Sequence, residues 1–261
     1  MNGEVDSFYR RILGEIITDR TASILVCGGD ITDKEMFASL GYLNVVISGM
    51  EKRVYDYSPY VWREENVESL SLPDKSVDYA VIHAAIHHTH LPHKVLTELY
   101  RVSKKGALAF ESRDSLLIRI AERFCLTQAY EVAGSYSGMG VNGTDIPNFI
   151  YRWTEREIRK TISSYSPFFE HRILFRYGTV WPGGPDLSRS KKLIIKLIRP
   201  LYCAFVKIFP RQQNQFAFFI EKPSIPESLL PWLVFNEVKQ KIEVDRRWIS
   251  LNYTKSRNRK N

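Results

Sequence analysis

The stretch that most restricts how this chain can fold is SILVCGGD, residues 23–30. A short, uninterrupted apolar run that ends on glycine reads as a parallel strand buried on both faces. Gly28 and Gly29 let the backbone turn sharply, and a helix follows. Its start is marked by Thr32 and Glu35 at capping-box spacing, and its end by Gly41. A second apolar run, Leu43 to Ile47, then completes a strand, turn, helix and strand. That β-α-β unit must cross over right-handedly and pair its two strands in parallel.

The alternation continues along the chain. Phe8, Ile12, Ile16 and Ile17 give residues 6–21 a helical stripe, and Tyr60 to Arg63 reads as a third strand. Turn chemistry at Pro73 to Ser76 precedes a strand from Val77 to His83. Leu91, Val95, Leu96, Leu99 and Val102 share one helical face, with Pro92 at the start and Lys104-Lys105-Gly106 as the stop. Ala107 to Glu111 is the next strand and Ser115 to Leu126 a helix. A loop with Gly134, Gly138, Gly140 and Gly143 runs on to Trp153, and Thr154 and Glu157 cap the helix after it. Two late strands, Phe168 to Tyr177 and Gln215 to Lys222, flank a basic apolar segment. The pattern predicts a doubly wound α/β domain with a mostly parallel sheet. Residues 1–22 form an N-terminal helix and 23–222 the main domain, with a core at 23–112, a substrate and lid region at 113–160 and a basic apolar insert at 189–211. Residues 223–261 form a basic extension.

With 261 residues, 44% of them hydrophobic, the chain can bury a full core. The net charge of +8 is uneven, because residues 189–261 hold 16 Lys/Arg against 5 Asp/Glu. That imbalance points to an anionic partner, lipid headgroups or nucleic acid, or else to a solvated tail. Lys191 to Arg211 interleaves cations with a dense apolar series. It reads either as an interfacial helix at the inner face of the membrane or as a helix pair, broken at Pro200, packed beside the last strands. Cys27, Cys125 and Cys203 sit apart in apolar stretches and read as reduced core thiols. No secretory signal or long apolar span is visible, so the expected location is the cytoplasm.

From Asn66 to Ser112 the chain carries, in order, Asn66-Val67-Glu68, Leu72-Pro73, Val77-Asp78, His87-His88, a helix from Val95 to Ser103, and Lys105-Gly106. This block resembles the centre of class I S-adenosylmethionine-dependent methyltransferases of the small-molecule, type 11-like kind. With the first β-α-β unit the resemblance covers roughly residues 23–112. It implies a seven-stranded Rossmann-like sheet with an antiparallel last pair, and S-adenosyl-L-methionine as cofactor. Gly28, Gly29 and Asp30 would line its methionine end, Ser48 to Glu51 would face the ribose, Val67, Glu68 and Ser69 would flank the adenine, and His83 and Ala84 would complete the pocket. The chain departs from the family pattern in several places. Val26 stands where the first strand usually carries an acid, Asp30 and Thr32 stand at two glycine positions, Ser48 or Gly49 replaces the ribose carboxylate, and Asn66 replaces the acid before the adenine site. Glu51 is the candidate substitute. A protein that kept the fold as a non-catalytic binding or scaffold module is the alternative these departures motivate.

Methyl transfer asks the protein to align a nucleophile and exclude water, and a base is needed only for a hydroxyl or protonated amine. His87 and His88 are the candidate catalytic residues. Five histidines between His83 and His93 invite a metal reading. No cysteine or clustered carboxylate joins them, and a strand-to-helix turn should splay the rings, so no metal is expected. Glu111, Arg113, Asn148 and Tyr151 are candidate substrate contacts, with an Arg113–Asp114 surface pair and aromatic packing as the competing structural readings. The expected acceptor is a small molecule, a glycan precursor or a lipid-linked intermediate. Nucleic acid is not expected, and GGDITD lacks the glycine spacing of a dinucleotide cradle.

Overall fold

Seven strands form one sheet: β1 (Ser23–Cys27), β2 (Asn44–Gly49), β3 (Val61–Glu64), β4 (Val77–His83), β5 (Ser103–Ser112), β6 (Ile173–Gly178) and β7 (Gln215–Glu221). Their order across the sheet is β3-β2-β1-β4-β5-β7-β6. The first five are parallel, and β7 runs antiparallel to both β5 and β6. The computed structural model describes residues 3–50, 55–132, 140–181 and 188–252.

Alternate side chains of each strand leave on opposite faces, and the buried residues divide accordingly. On one face, Ile24 and Val26 of β1 join Phe110 of β5 and meet α1 (Gly3–Ile16) and α2 (Ile31–Ser39) through Tyr9, Ile12, Met36 and Phe37. On the other, Leu25 and Cys27 join a cluster with α3 (Pro92–Val102) and α5 (Glu155–Tyr165) through Val95, Leu99 and Ile158, together with Trp153 just before α5. The fully apolar reading of β1 follows from this double coverage. In chain order, α4 (Leu116–Arg123) comes between α3 and α5. The Thr154 and Glu157 capping box forms as the sequence indicates.

Several expected boundaries move. The capping box of α2 is Asp30 with Asp33, two residues earlier than Thr32 with Glu35, because the helix already begins at Ile31. Lys104, Lys105 and Gly106 do not stop a helix but belong to β5, since α3 ends at Val102 and the strand begins at once. Gly106 is needed there because a Cβ would run into the Phe219 ring and the Ile220 carbonyl of β7. Only Cys27 is a buried thiol; Cys125 is exposed beyond the end of α4, and Cys203 is partly exposed. Residues 189–211 are not a helix pair. They contain one helix, α6 (Arg189–Ile208), which continues through Pro200. The carbonyl of Lys196 that loses its helical donor lies on an exposed residue, where water can bond it. The basic extension holds a two-stranded sheet, β8 (Leu233–Asn236) with β9 (Lys241–Val244), and then α7 (Arg246–Asn252). Among the described residues, no helix is long and apolar enough to cross a membrane.

Candidate functional site

The carboxyl ends of β1 to β4 open on a cleft of about 480 Å³. It lies at the point where the strand order reverses between β1 and β4, the usual ligand position in open α/β sheets. Its floor is the turn after β1. Gly28 has φ +63°, and a Cβ there would approach Ala85 Cβ to 2.7 Å. At Gly29 a Cβ would come within 2.9 Å of both Ile47 and Val26. Both glycines are therefore required for the turn to lie against β2 and the loop after β4.

The next residue caps α2. The Asp30 carboxylate accepts the Thr32 N–H at 2.7 Å and the Asp33 N–H at 3.3 Å, while Asp33 accepts the Asp30 N–H at 3.0 Å. The N-terminal donors of this helix are thus already satisfied by the chain's own carboxylate, which removes the usual attraction for a phosphate. Burial is the main force lifting the Asp33 carboxyl, to about 7.

Ser48 does not face the cleft. It is buried, and its hydroxyl donates to the Val26 carbonyl at 3.1 Å. The neighbouring Gly49 does line it, against the Trp62 indole. Glu51 lies outside the described residues. The acid found at this end of the sheet is Glu65, whose N–H donates to the Gly49 carbonyl at 2.9 Å. Burial pushes its carboxyl up, but donors from Ser71 and Arg63 outweigh burial and hold it below the usual carboxylate range. Glu65 is therefore an ionised wall residue. The sequence signal for it is an acid directly after the third strand, next to Asn66. Val67 lines the cleft; Glu68 and Ser69 do not, and the Glu68 carboxylate accepts the Leu91 N–H at 2.9 Å.

The opposite wall is His83, Ala84, Ala85, His88 and Thr89. His83 stacks on Tyr9 with centroids 4.3 Å apart, and burial lowers its imidazole to about 4, so the ring is neutral. His87 lies behind this wall. Its Nδ1 is 2.9 Å from Glu111 Oε2, and the other Glu111 oxygen accepts the Ile86 N–H at 2.8 Å. Burial alone would depress the His87 imidazole; the charge and hydrogen bond of Glu111, helped by Glu131, lift it to about 10. The rings of His87 and His88 are 4.5 Å apart and are not splayed, contrary to expectation. The reason is the short helical turn Ile86–His88, which Glu111 pins by its backbone. Distant carboxylates do join these histidines. His87, His88 and Glu131 offer ligand atoms within 4.8 Å of one another, the one such group among the described residues. A cation would have to displace the proton that His87 holds at neutral pH.

None of the four candidate substrate residues lines the cleft. Glu111 is committed to His87. Arg113 forks onto Glu155 at 2.9 Å and reaches the Arg211 carbonyl, so the Arg113–Asp114 pair does not form; Asp114 pairs with Arg119. Asn148 is buried and donates to the His87 carbonyl at 3.3 Å. The Tyr151 hydroxyl donates to Glu157 at 3.0 Å. The lid region contributes Gly140, Asn142 and Gly143 to the cleft, whereas Gly134 and Gly138 lie outside the described residues.

Residues 43–110 match the model of a family described as a methyltransferase domain, and those residues run from β2 to the end of β4 and into β5, around this cleft. The chain has the class I methyltransferase fold. A Haloferax volcanii chain described as a methyltransferase, solved with the Trm112 methyltransferase activator, aligns at 10% identity over 84% of this chain and 90% of its own, with a TM-score of 0.52. The YcgJ protein of Bacillus subtilis aligns at 12% identity over 84% of this chain and 99% of its own, with a TM-score of 0.50. No curated protein matches by sequence. The cofactor of this fold is S-adenosyl-L-methionine. The cleft fits such a group: its floor admits no side chain at Gly28, and on its walls the buried His83 Nε2 and Trp62 Nε1 have no partner among the described residues.

Proposed function

We propose that this chain transfers a methyl group from S-adenosyl-L-methionine to a small molecule, a glycan precursor or a lipid-linked intermediate. The observation that carries the reading is the electrostatics of the glycine turn. Asp30 fills the helix N-terminus, and Glu65, an ionised carboxylate bonded to Arg63 and Ser71, lines the same cleft. A pyrophosphate would be repelled there, whereas a cofactor with a cationic sulfonium and ammonium would be attracted. That sulfonium supplies the electrophilic methyl group.

The residues then divide the work. Gly28, Gly29 and Asp30 hold the methionine end. Glu65, rather than Ser48, accepts the ribose hydroxyls, and Val67 lies along the adenine. His83 and Ala84 close the wall. The base for a hydroxyl or ammonium acceptor is His88, which lines the cleft. His87, already protonated and fixed by Glu111, positions the turn that carries His88. Calorimetric titration with S-adenosyl-L-methionine tests the assignment. Micromolar binding is expected; no heat at millimolar cofactor would refute it and favour the scaffold alternative.

A further inference from the structure

Three features outside the cleft adjoin the turn Pro210–Gln212. The first is α6, in which Val206 alone is fully buried. Leu193, Leu197, Leu201 and Ile208 repeat at near one-turn spacing and form an apolar stripe, with Leu201 and Ile208 each 74% exposed. Residues 189–211 carry seven Lys/Arg and no Asp or Glu. Lys192, Lys196 and Arg199 recur at i, i+4 and i+7, so they run along one flank of that stripe. A monomer in water does not leave such a face uncovered without a use for it.

The second feature is α4, whose Leu116, Ile120 and Phe124 form an exposed apolar row at i, i+4 and i+8. The turn Pro210–Gln212, just beyond α6, ties the two helices together. The Ser115 hydroxyl donates to the Gln212 carbonyl at 3.2 Å, and the Leu117 N–H donates to the Gln212 side-chain oxygen at 3.4 Å. The amino-terminal end of α4 and the carboxyl-terminal end of α6 therefore lie on either side of this turn, beside the carboxyl end of β5.

The third is a recess of about 400 Å³ under the same turn, between α5 and β6. Arg156, Arg159, Lys160 and Arg211 line it together with the paired Arg113 and Glu155. Arg156, Arg159 and Lys160 are exposed, repel one another at i, i+3 and i+4, and form no ion pair with a carboxylate among the described residues. Their crowding becomes favourable when an anion is present.

We propose that this face docks on an anionic lipid bilayer, with the α6 and α4 stripes entering the interface and the basic recess taking lipid phosphate, so that the methyl acceptor is presented from the membrane. The second half of that statement rests on the methyl-transfer reading; the docking does not. A second copy of the chain fits the surface poorly, because a two-fold contact through α6 would set its lysine flank against itself with no acid on the helix. Nucleic acid would leave the apolar stripe unused. Lipid satisfies both the stripe and the cations.

Co-sedimentation of the full chain with phosphatidylcholine vesicles, with and without phosphatidylglycerol, tests this. Wild-type protein should pellet with the anionic vesicles, less so as salt rises, and stay in solution with phosphatidylcholine alone. The double variant Leu197→Glu, Leu201→Glu should not pellet with either. Replacing Lys191, Lys192 and Lys196 by Ala should weaken partitioning by about a hundredfold, at roughly fivefold per cation. Wild-type protein that stays in solution with anionic vesicles, or a double variant that pellets as wild type does, overturns the proposal. So does light scattering that shows a wild-type dimer which the double variant dissolves. Circular dichroism should be unchanged in the double variant, since neither leucine is in the core. Cofactor titration of the same samples separates the two readings: vesicle binding without cofactor binding removes methyl transfer and leaves docking standing, and the reverse outcome removes docking alone.

Discussion

Replacing Glu111 by Gln keeps the shape of the carboxylate that pins His87 and removes its charge. In the folded protein His87 titrates near 10 against 6.5 when unfolded. A group whose pKa is raised by folding contributes its full stabilisation below the unfolded value, and that contribution is lost as pH rises through the folded value. The window is therefore about pH 6.5 to 10, with a limiting slope of about 1.4 kcal/mol per pH unit. Between about pH 6.5 and 8.5 the wild type should lose about 2 kcal/mol through this one site, near the middle of the range after the half-titrated ends are allowed for. In the variant the neutral amide no longer stabilises an imidazolium, burial alone acts on His87, and that loss disappears. Urea unfolding at several pH values measures both proteins with every other titrating group cancelling in the difference. The deficit of Glu111→Gln relative to wild type should be larger at about pH 6.5 than at about pH 8.5, narrowing by about 2 kcal/mol or more across that interval. Two curves that stay parallel would show that His87 is not held as an imidazolium by Glu111.

Three further outcomes follow from the cleft. Ala at Gly28 or at Gly41 costs about 1–2 kcal/mol for its left-handed backbone, but Gly41 is open while Gly28 abuts Ala85; thermal melts should fall for both, and cofactor titration should fail for Gly28→Ala only. Asp33→Asn removes a carboxyl lifted to about 7 by burial. The wild type loses that contribution as pH rises from about 4 through 7, so the advantage of Asp33→Asn in urea unfolding should grow by about 2 kcal/mol from about pH 5 to 8; a constant offset would contradict the burial account. Glu65→Gln should weaken cofactor binding about tenfold by calorimetry, the loss of one charge-assisted hydrogen bond, and unchanged affinity would remove Glu65 from the ribose role.

The sheet and its switch point can be read directly from the amino-acid order. The apolar runs at Ser23 to Cys27 and Val77 to His83, and the stripe of α3, depend on local periodicity, and periodicity is written in neighbouring residues. Gly28 and Gly29 were legible as a turn directly after an apolar strand, and only glycine serves a turn pressed so closely on the side chains of Ala85, Ile47 and Val26. The errors sit where two signals compete locally. Asp30 and Thr32 are both good caps, and the lysines before Gly106 read as a helix end only because the pairing of β5 with β7 is not visible in sequence. The site's chemistry was decided by tertiary structure. Glu111 meets His87 across 24 positions, Glu131 meets His88 across 43, and Glu65 reaches the cleft through the pairing of β3 with β2. Charge in a site depends on burial and on partners far away in the chain, neither of which any local pattern encodes. The exposure of α6 was settled the same way: an amphipathic sequence says that one face is apolar, and only the packed structure says whether anything covers it.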